Sequence, residues 1–374
     1  MQKICQICSV LPPGGDAVGE GVLKLKFLLE SQGINCSILT SSNQTYKEDT
    51  FHFFNNWGLL NIMRSVSLLK KIKTDVVIFH YPTSHYGRNI FVTLIALIYR
   101  LTRIKIISFV HEYSTYSILG KIRIFPLLIF SNRIITSDHS NYKDIVKIPN
   151  LKLKTSIITV GSNFSDNFFN SDKKDIQRHD RFVKNEKIDL LYFGYIMHGK
   201  GLEFLLNAFE EFPELREKFN LHIVGNIPEV PNKETLALIR KVQTSYYINY
   251  HGYLNREQLT AFFPLIDVVC LPYIQGVTIR RGSFMTAMGY GKLVLTTRSK
   301  IKIENLEHLK NVYFIENPSS NDIKQGLIYI SKLDSEIQKK IGVNGKVWYF
   351  ENYSENIYIS KIMNVIYSLQ KSSN

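Results

Sequence analysis

The chain has 374 residues, of which 45% are hydrophobic and 21% charged, with a formal net charge of +14. The length allows two domains of ordinary size, and the composition is that of a globular protein and excludes a disordered or fibrous one. No charge-free stretch reaches the roughly 18 apolar residues of a membrane-spanning helix. The first residues lack the basic and apolar regions of a signal peptide, so we expect a cytoplasmic protein.

Short apolar runs alternate with helical patterns through the first half of the chain. Strands are predicted at KICQICSV, INCSILT, DVVIFH, KIISFV and NRIITS, with helices over Val18–Ser31, Leu59–Lys73, Ile90–Thr102 and Ile118–Phe130. This alternation predicts a parallel sheet with helices on both faces. Ligands in that architecture bind beyond the carboxyl ends of the strands, which makes the residues that follow each strand the first candidates for a site.

Two of these loops carry candidate residues. The loop PPGGDAVGEG lacks the G-x-G-x-x-G spacing, and no acid follows the second strand, so a dinucleotide-dependent oxidoreductase is rejected. Gly15 in this loop either lets the backbone approach a ligand or only permits a turn. His111 closes the fourth strand in SFVHEYS, where it is either a ligand contact or a structural residue.

No metal site and no cofactor are predicted. Cys5 and Cys8 are three residues apart in a strand and point to opposite faces, which favours core packing over chelation. His80 and His85 have no carboxylate or cysteine beside them at a spacing suited to zinc.

The positive charge is concentrated in the first half. Residues 1–170 contain 19 Lys and Arg against 10 Asp and Glu, gathered around LLKKIK, IYRLTRIK, GKIRIF and PNLKLK. Basic helices with apolar and aromatic neighbours suit an anionic membrane surface, so we expect peripheral membrane contact, with a merely solvated basic surface as the alternative. Nucleic acid is not expected as a partner, because no nucleic-acid motif is present.

A second alternating set follows a polar stretch. Residues 162–187 have no periodicity and are predicted to be a linker. The runs KIDLLYFG, FNLHIVG, YINYHG, IDVVCLPY, KLVLTT and NVYFIE then predict the strands of another nucleotide-binding fold. A final helix is predicted over Tyr349–Leu369 from its apolar stripe.

The segment 272–291, PYIQGVTIRRGSFMTAMGYG, carries the strongest candidate site. It joins a buried strand to a short helix, and between them stand Gly276, Thr278, Arg280, Arg281, Gly282 and Ser283. Guanidinium groups beside the amide groups of a helix N-terminus bind phosphate, so a diphosphate site is predicted. The alternative is a solvated pair of arginines.

This segment resembles the corresponding strand, turn and helix of the retaining GT-B glycosyltransferases of the glycogen-synthase-like group, P-S-x-x-E-G-F-G-x-x-x-x-E-A-M-A-x-G. Ala287, Met288 and Gly291 match that pattern. Thr278 and Thr286 replace its two glutamates, as in a polysaccharide-assembly branch with R-R-G-S at this turn. The resemblance implies that these two positions lie against the transferred sugar and the ribose of the donor.

Further residues are assigned through the same resemblance. The run LLYFGYIMHGKGLEF is similar to the family's G-R-x-x-x-x-K-G, which implies that Lys200 contacts the donor diphosphate. The family's loop at VGNIPE frames the base, and this implicates Gly225 and Asn226. The resemblance also implies that Gly15 faces the donor phosphates and that His111 touches the transferred sugar.

The resemblance implies an α/β fold of two Rossmann-like domains facing each other across a cleft. The domains would be residues 1–165 and 186–349, with a helix in 350–374 returning to the first. It implies a retaining, metal-independent transfer from a nucleotide-sugar donor to a glycan or lipid-linked glycan in bacterial surface polysaccharide synthesis. Arg280, Arg281, Lys200 and the helix start at Gly282 would stabilise the leaving diphosphate. A non-catalytic GT-B subunit and a sugar-nucleotide epimerase remain alternatives.

Overall fold

The computed structural model describes residues 3–12, 17–41, 49–83, 86–87, 89–162, 164–169, 186–228 and 230–371. The chain divides into two compact units, one formed by Met1–Asn163 with Glu355–Asn374 and the other by Phe164–Ser354. We call them the N-terminal unit and the second unit. No helix of the described ranges is both long and apolar enough to cross a bilayer.

The N-terminal unit is built on seven parallel strands. They are β1 (Lys3–Ile7), β2 (Asn35–Thr40), β3 (Thr50–His52), β4 (Val76–Tyr81), β5 (Lys105–Val110), β6 (Arg133–Thr136) and β7 (Thr155–Ile157), in the order β3-β2-β1-β4-β5-β6-β7. Its helices are α1 (Ala17–Ser31), α2 (Leu59–Lys71), α3 (Ile95–Leu101), α4 (Ile118–Phe130) and α5 (His139–Ile145), with a 3₁₀ turn at Phe91–Leu94 before α3. Strands buried on both faces are mainly apolar, as β4 and β5 are.

The five strands and four helices predicted in this half are confirmed, and the described residues contain three further strands or α-helices. These are β3, α5 and β7, which are three to seven residues long. Elements this short contain too few apolar residues to show a helical or strand pattern, so the sequence did not indicate them. Cys5 and Cys8 are free and buried, as the core interpretation predicted.

The second unit contains a six-stranded parallel sheet. Its strands are β8 (Ile188–Phe193), β9 (Phe219–Val224), β10 (Ile248–Gly252), β11 (Val268–Leu271), β12 (Leu293–Thr297) and β13 (Tyr313–Ile315), in the order β10-β9-β8-β11-β12-β13. Its helices are α6 (Asp166–Phe169), α7 (Leu202–Glu211), α8 (Pro213–Lys218), α9 (Lys233–Thr244), α10 (Arg256–Phe262), α11 (Gly282–Gly289), α12 (Ser320–Ser331) and α13 (Ser335–Tyr353). All six predicted strands are present, and two parallel α/β sheets confirm the predicted fold class.

Part of the predicted linker is packed structure. Phe169 of α6 is buried, and its ring meets those of Tyr290 and Tyr349 edge to face at centroid distances of 4.8 and 5.4 Å. The Tyr349 hydroxyl donates to the carboxylate of Asp166 at 3.1 Å. Aromatic packing therefore ties residues 166–169 to the second unit, which their polar neighbours in the sequence did not indicate.

The end of the chain forms two helices where one was predicted. Ser354, with φ −61° and ψ 160°, ends α13, and α14 (Glu355–Lys371) follows it. Ile359, Ile362 and Ile366 of α14 are buried in the core of the N-terminal unit. An ion pair of 3.2 Å between Glu355 and Lys24 of α1 joins the start of α14 to the same unit.

Candidate functional site

Two cations meet at the carboxyl edge of the sheet in the second unit. Arg281 is the residue before α11, and its guanidinium lies over the ring of Tyr273 at 4.8 Å. Lys200 lies in the loop between β8 and α7. Burial, followed by the positive charge of Arg281, lowers the pKa of Lys200 below its ordinary value. Because the charge of Arg281 acts on Lys200, the two side chains contribute positive charge to the same edge of the sheet.

Glycines determine the path of the Lys200 loop. Gly199 and Gly201 have φ of +87° and +92°, values that side-chain-bearing residues rarely adopt. A Cβ atom at Gly201 would overlap the carbonyl oxygen of Pro272, so the loop runs directly against the end of β11. The carboxylate of Glu203 accepts the amide hydrogens of Gly199 at 2.9 Å and Gly201 at 3.1 Å. The loop is therefore held in place from both sides.

The N-terminus of α11 borders these cations. Arg281 provides no side-chain cap to the helix, and Gly282 and Ser283 form its first turn, partly exposed. The backbone N–H groups of a first helical turn and the helix dipole attract anions. A Cβ atom at Gly194, which follows β8, would lie 3.1 Å from the Ser283 hydroxyl oxygen, so the β8 loop and the α11 start are neighbours.

Tyr273 lies beneath Arg281 and is 6% exposed. Burial raises the pKa of its hydroxyl, which stays protonated at neutral pH. The buried hydroxyl faces the Ser283 side chain and the backbone of Phe284. Tyr273 therefore supports Arg281 and the start of α11 from below.

The loops after β8 and β9 are also in contact. The amide of Ile196 donates to the carbonyl of Asn226 at 2.9 Å, and the amide of Gly225 donates to Gly252 at 2.9 Å. A Cβ atom at Gly225 would overlap the carbonyl of Gly194. Gly225 is buried for this reason, whereas Asn226 is exposed at the same edge of the sheet.

The other predicted residues of this segment differ in exposure. Arg280 is exposed and Thr278 is partly buried, and the carbonyl of Thr278 accepts the amide hydrogen of Arg281 at 3.0 Å. Thr286 is only 1% exposed, within the buried face of α11. The structure thus brings Arg281, Lys200, Gly282 and Ser283 together and leaves Thr286 in the core.

A separate polar cluster lies at the carboxyl edge of the sheet in the N-terminal unit. His111 follows β5, and its Nε2 is 3.2 Å from Nδ1 of His80. Nε2 of His80 is 3.0 Å from Oε1 of Gln6, whose Nε2 donates to the carbonyl of Val22 at 3.0 Å. Burial, with a smaller effect of His111, holds the pKa of His80 well below its ordinary value, so the His80 ring is neutral.

The backbone of His111 is fixed on both sides. Its amide donates to the carbonyl of Tyr81 at 2.8 Å, and its carbonyl accepts from Ser137 and Asn141 at 3.2 and 3.1 Å. Its ring stacks on Phe109 with a centroid distance of 4.6 Å. Two predicted residues, Gly15 and His85, lie outside the described residues.

Gln6 and Tyr273 were not identified from the sequence as site residues, and His80 was placed at the end of its strand without a partner. Gln6 and His80 are polar residues inside otherwise apolar strands, KICQI and VVIFHY, and that contrast is a signal that they serve a buried polar group. Tyr273 lies two residues after the end of β11, at the edge where parallel α/β sheets bind their ligands. Within the ranges that the structure describes, no three His, Cys, Asp or Glu side chains are grouped to hold a metal ion.

Residues 173–348 match the protein family described as Glycosyl transferases group 1. No curated protein sequence matches the chain significantly. Solved structures with a similar fold include a glycosyltransferase from Rickettsia africae, with 17% identity, TM-score 0.76 and 99% of each chain covered. The Anabaena protein HepE in complex with UDP and glucose has 13% identity and TM-score 0.76, with 98% of this chain and all of that one covered. Sucrose-phosphate synthase from Thermosynechococcus elongatus has 14% identity, TM-score 0.73 and full coverage of both chains.

Proposed function

We propose that this protein, whose residues 173–348 match the group 1 glycosyltransferases, transfers a sugar from a nucleotide-sugar donor to a hydroxyl group of a glycan. The observation that carries the proposal is that the Lys200 loop runs against the end of β11, which places Lys200 at the same edge of the sheet as Arg281 and the start of α11. Two cations and a helix N-terminus form a site suited to a diphosphate. HepE, a structural neighbour, is seen with UDP and with UDP-glucose, which supports a nucleotide-sugar donor here.

The reaction breaks the bond between the sugar's anomeric carbon and the diphosphate oxygen. The anomeric carbon then bonds to the acceptor oxygen, and the acceptor's proton passes to the leaving phosphate. Negative charge grows on the diphosphate as the bond breaks, and Lys200 and Arg281 stabilise it there, which is electrostatic catalysis without a metal. Both bonds lie on the same face of the sugar in our proposal, so the anomeric configuration is retained.

Residues are proposed for each part of the donor. Lys200 and Arg281 contact the diphosphate, Arg280 adds positive charge from an exposed position beside them, and His111 binds a hydroxyl group of the transferred sugar. The remaining donor-binding residues in our proposal are Gly15, Gly225, Asn226, Thr278, Gly282, Ser283 and Thr286. Among these, Thr286 requires a rearrangement of α11 to reach a ribose, because its side chain is buried.

The acceptor is proposed to be a glycan or lipid-linked glycan of bacterial surface polysaccharide synthesis, used at the cytoplasmic face of the membrane. The exposed apolar face of α4 supports this, because Ile118 and Leu119 are each 78% exposed beside Lys121, a partly exposed cation that also pairs with Asp144 at 3.0 Å. Apolar side chains with neighbouring cations suit an anionic bilayer surface.

The donor can be identified by the thermal stability of the full chain against nucleoside diphosphates and sugar nucleotides. A ligand at 100 times its dissociation constant adds about 2.7 kcal/mol if it binds only the folded state. We expect one nucleotide to raise the melting temperature of the wild type and not that of Arg281→Ala. Arg280→Ala is the comparison, and we expect it to reduce the rise in melting temperature only slightly, because its side chain is exposed.

Product analysis then separates the transferase from its alternatives. Transfer consumes donor only with an acceptor and releases nucleoside diphosphate, and NMR of the product gives the anomeric configuration. Conversion of the donor without an acceptor would indicate an epimerase. Binding without any donor consumption would indicate a non-catalytic subunit, and no binding of any nucleotide would contradict the proposal.

Membrane contact is tested by sedimentation with phosphatidylglycerol vesicles, with phosphatidylcholine vesicles as the neutral comparison. We expect Ile118→Asp with Leu119→Asp to abolish binding to the anionic vesicles. The control is Val343→Asp with Val347→Asp, which changes two exposed apolar residues of α13. Equal binding by both variants would contradict a role for α4.

A further inference from the structure

The orientation of the Gln6 side chain is determined by its partners. Its Nε2 lies 3.0 Å from the carbonyl oxygen of Val22, which can only accept. A flipped amide would place two acceptors together, so Oε1 is the atom that faces Nε2 of His80 at 3.0 Å. Because Oε1 also only accepts, the proton between Gln6 and His80 belongs to Nε2 of His80.

The same reasoning extends to His111. His80 is neutral because it is buried, and a neutral imidazole with a proton on Nε2 has a bare lone pair on Nδ1. Nδ1 of His80 faces Nε2 of His111 at 3.2 Å. His111 must therefore donate from Nε2, and an uncharged His111 carries its lone pair on Nδ1. The series runs in one direction, from His111 through His80 and Gln6 to Val22.

We propose that Gln6 and His80 are positioning residues that hold the proton of His111 on Nε2, so that Nδ1 accepts a hydrogen bond from a carbohydrate hydroxyl. A phosphate or carboxylate oxygen needs a donor and is disfavoured at Nδ1. The hydroxyl partner rests on the function proposed above, in which His111 binds the transferred sugar, whereas the position of the proton does not. The geometry thus defines which atom of His111 meets the ligand and in which direction the hydrogen bond runs.

The proton positions can be measured on the full wild-type chain with ¹⁵N-labelled histidine. Protonated and bare ring nitrogens have well-separated NMR shifts, and a His111→Gln variant assigns the His111 signals. We expect Nε2 to be protonated and Nδ1 bare in both rings, with a coupling across the bond from His111 to His80. A proton on Nδ1 of either ring would overturn the proposal.

A variant tests whether Gln6 sets this state. Gln6→Met removes the acceptor for His80 with little change in length, so we expect both rings to exchange between tautomers and show averaged shifts. Ser108→Ala is the control, because Ser108 is a fully buried residue of β5 whose hydroxyl pairs with Ser131 at 2.6 Å. Unchanged His111 signals in Gln6→Met would overturn the role of Gln6, and the wild-type spectrum decides the proton positions even if this variant does not fold.

The hydroxyl partner is tested with the sugar nucleotide that stabilises the protein and with analogues in which one sugar hydroxyl is replaced by fluorine. For one analogue we expect kcat/KM of the wild type to fall about fivefold to tenfold, the range of a single hydrogen bond. The same analogue should lower kcat/KM of Gln6→Met by a smaller factor, since in that variant Nδ1 of His111 is no longer fixed as the acceptor. Equal losses in both proteins for every analogue would overturn the hydroxyl assignment. If no sugar nucleotide binds, the proposed function fails, and the spectra still decide the tautomer.

Discussion

The carboxyl edges of the two sheets carry different kinds of side chain. The carboxyl edge in the second unit gathers positive charge, with Lys200 and Arg281 beside the start of α11. The carboxyl edge in the N-terminal unit gathers hydrogen-bonding groups, His111, His80 and Gln6. Parallel sheets of one kind thus provide an anion site and a hydrogen-bonding site, and the residues that end the strands decide which one forms.

The two edges are also built by different means. Close backbone approach shapes the edge in the second unit, where a Cβ atom at Gly201 or Gly225 would overlap a neighbouring carbonyl. A buried side chain shapes the other edge, where Asn141 accepts the amide hydrogens of Tyr113 and Ser114 at 2.8 and 2.9 Å. The first edge is therefore sensitive to added atoms, and the second is sensitive to the loss of polar ones.

The largest expected effect tests this difference in the second unit. Gly201→Ala combines a strained φ of +92° with overlap against Pro272, so we expect a loss of about 3 kcal/mol or more in the free energy of unfolding. Gly199→Ala is matched, because its φ is +87° and nothing lies within 4 Å of an added Cβ, so it should cost only about 1–2 kcal/mol. Denaturant unfolding measures both. Equal losses would mean that close approach does not shape this loop.

The next effect concerns charge at the same edge. Arg281→Ala should weaken binding of the nucleoside diphosphate about 10- to 100-fold, because charge-assisted hydrogen bonds contribute about 1.5–3 kcal/mol. Arg280→Ala should change it less than about threefold, the effect of an exposed charge. Isothermal titration calorimetry gives both affinities. If Arg280→Ala has the larger effect, the site has been assigned to the wrong arginine.

The sequence predicted the positions of these groups better than their pairing. Lys200 and both arginines follow strands, and the strand rule places all three at one edge. The choice between Arg280 and Arg281 depends on a turn in which Gly276 has φ +77° and Arg281 stacks on Tyr273. Such a turn is specified by tertiary contacts, since a Cβ atom at Gly276 would lie 2.5 Å from the carbonyl oxygen of Arg298.

The polar cluster of the N-terminal unit was only partly predictable. His111 and His80 were placed at strand ends, whereas Gln6 lies inside a strand whose pattern indicates burial alone. Gln6 and His80 come together because β1 pairs with β4 in parallel, with Gln6 opposite Ile78. Strand order is a long-range property, and the alternation of apolar residues does not contain it.

A moderate effect on affinity should show which part of the donor each sheet edge contacts. His111→Ala is expected to weaken binding of the sugar nucleotide about fivefold, the contribution of one hydrogen bond, and to leave binding of the corresponding nucleoside diphosphate unchanged. Arg281→Ala should weaken both ligands alike, because both contain the diphosphate. The four affinities come from calorimetry. Equal weakening of both ligands by His111→Ala would contradict a contact between His111 and the sugar.

The smallest expected effect is on the pH dependence of diphosphate binding. Lys200 should contribute to this dependence, whereas His80 should not. The pKa of Lys200 is lowered by burial and by Arg281, and a bound diphosphate favours the charged amine and raises that pKa. Between the free and bound pKa values, binding takes up a proton, so the affinity falls as pH rises, by at most about tenfold per pH unit.

Measurements from about pH 8 upwards avoid ionisation of the phosphate itself, whose last pKa is about 6. Lys200→Met should show a flat profile over this range. Arg281→Ala should shift the fall in affinity to higher pH, because it removes the charge that lowers the pKa of Lys200. His80 is neutral across the range, so Gln6→Met should leave the profile unchanged. A profile that Arg281→Ala fails to shift would show that Lys200 and Arg281 do not share one site.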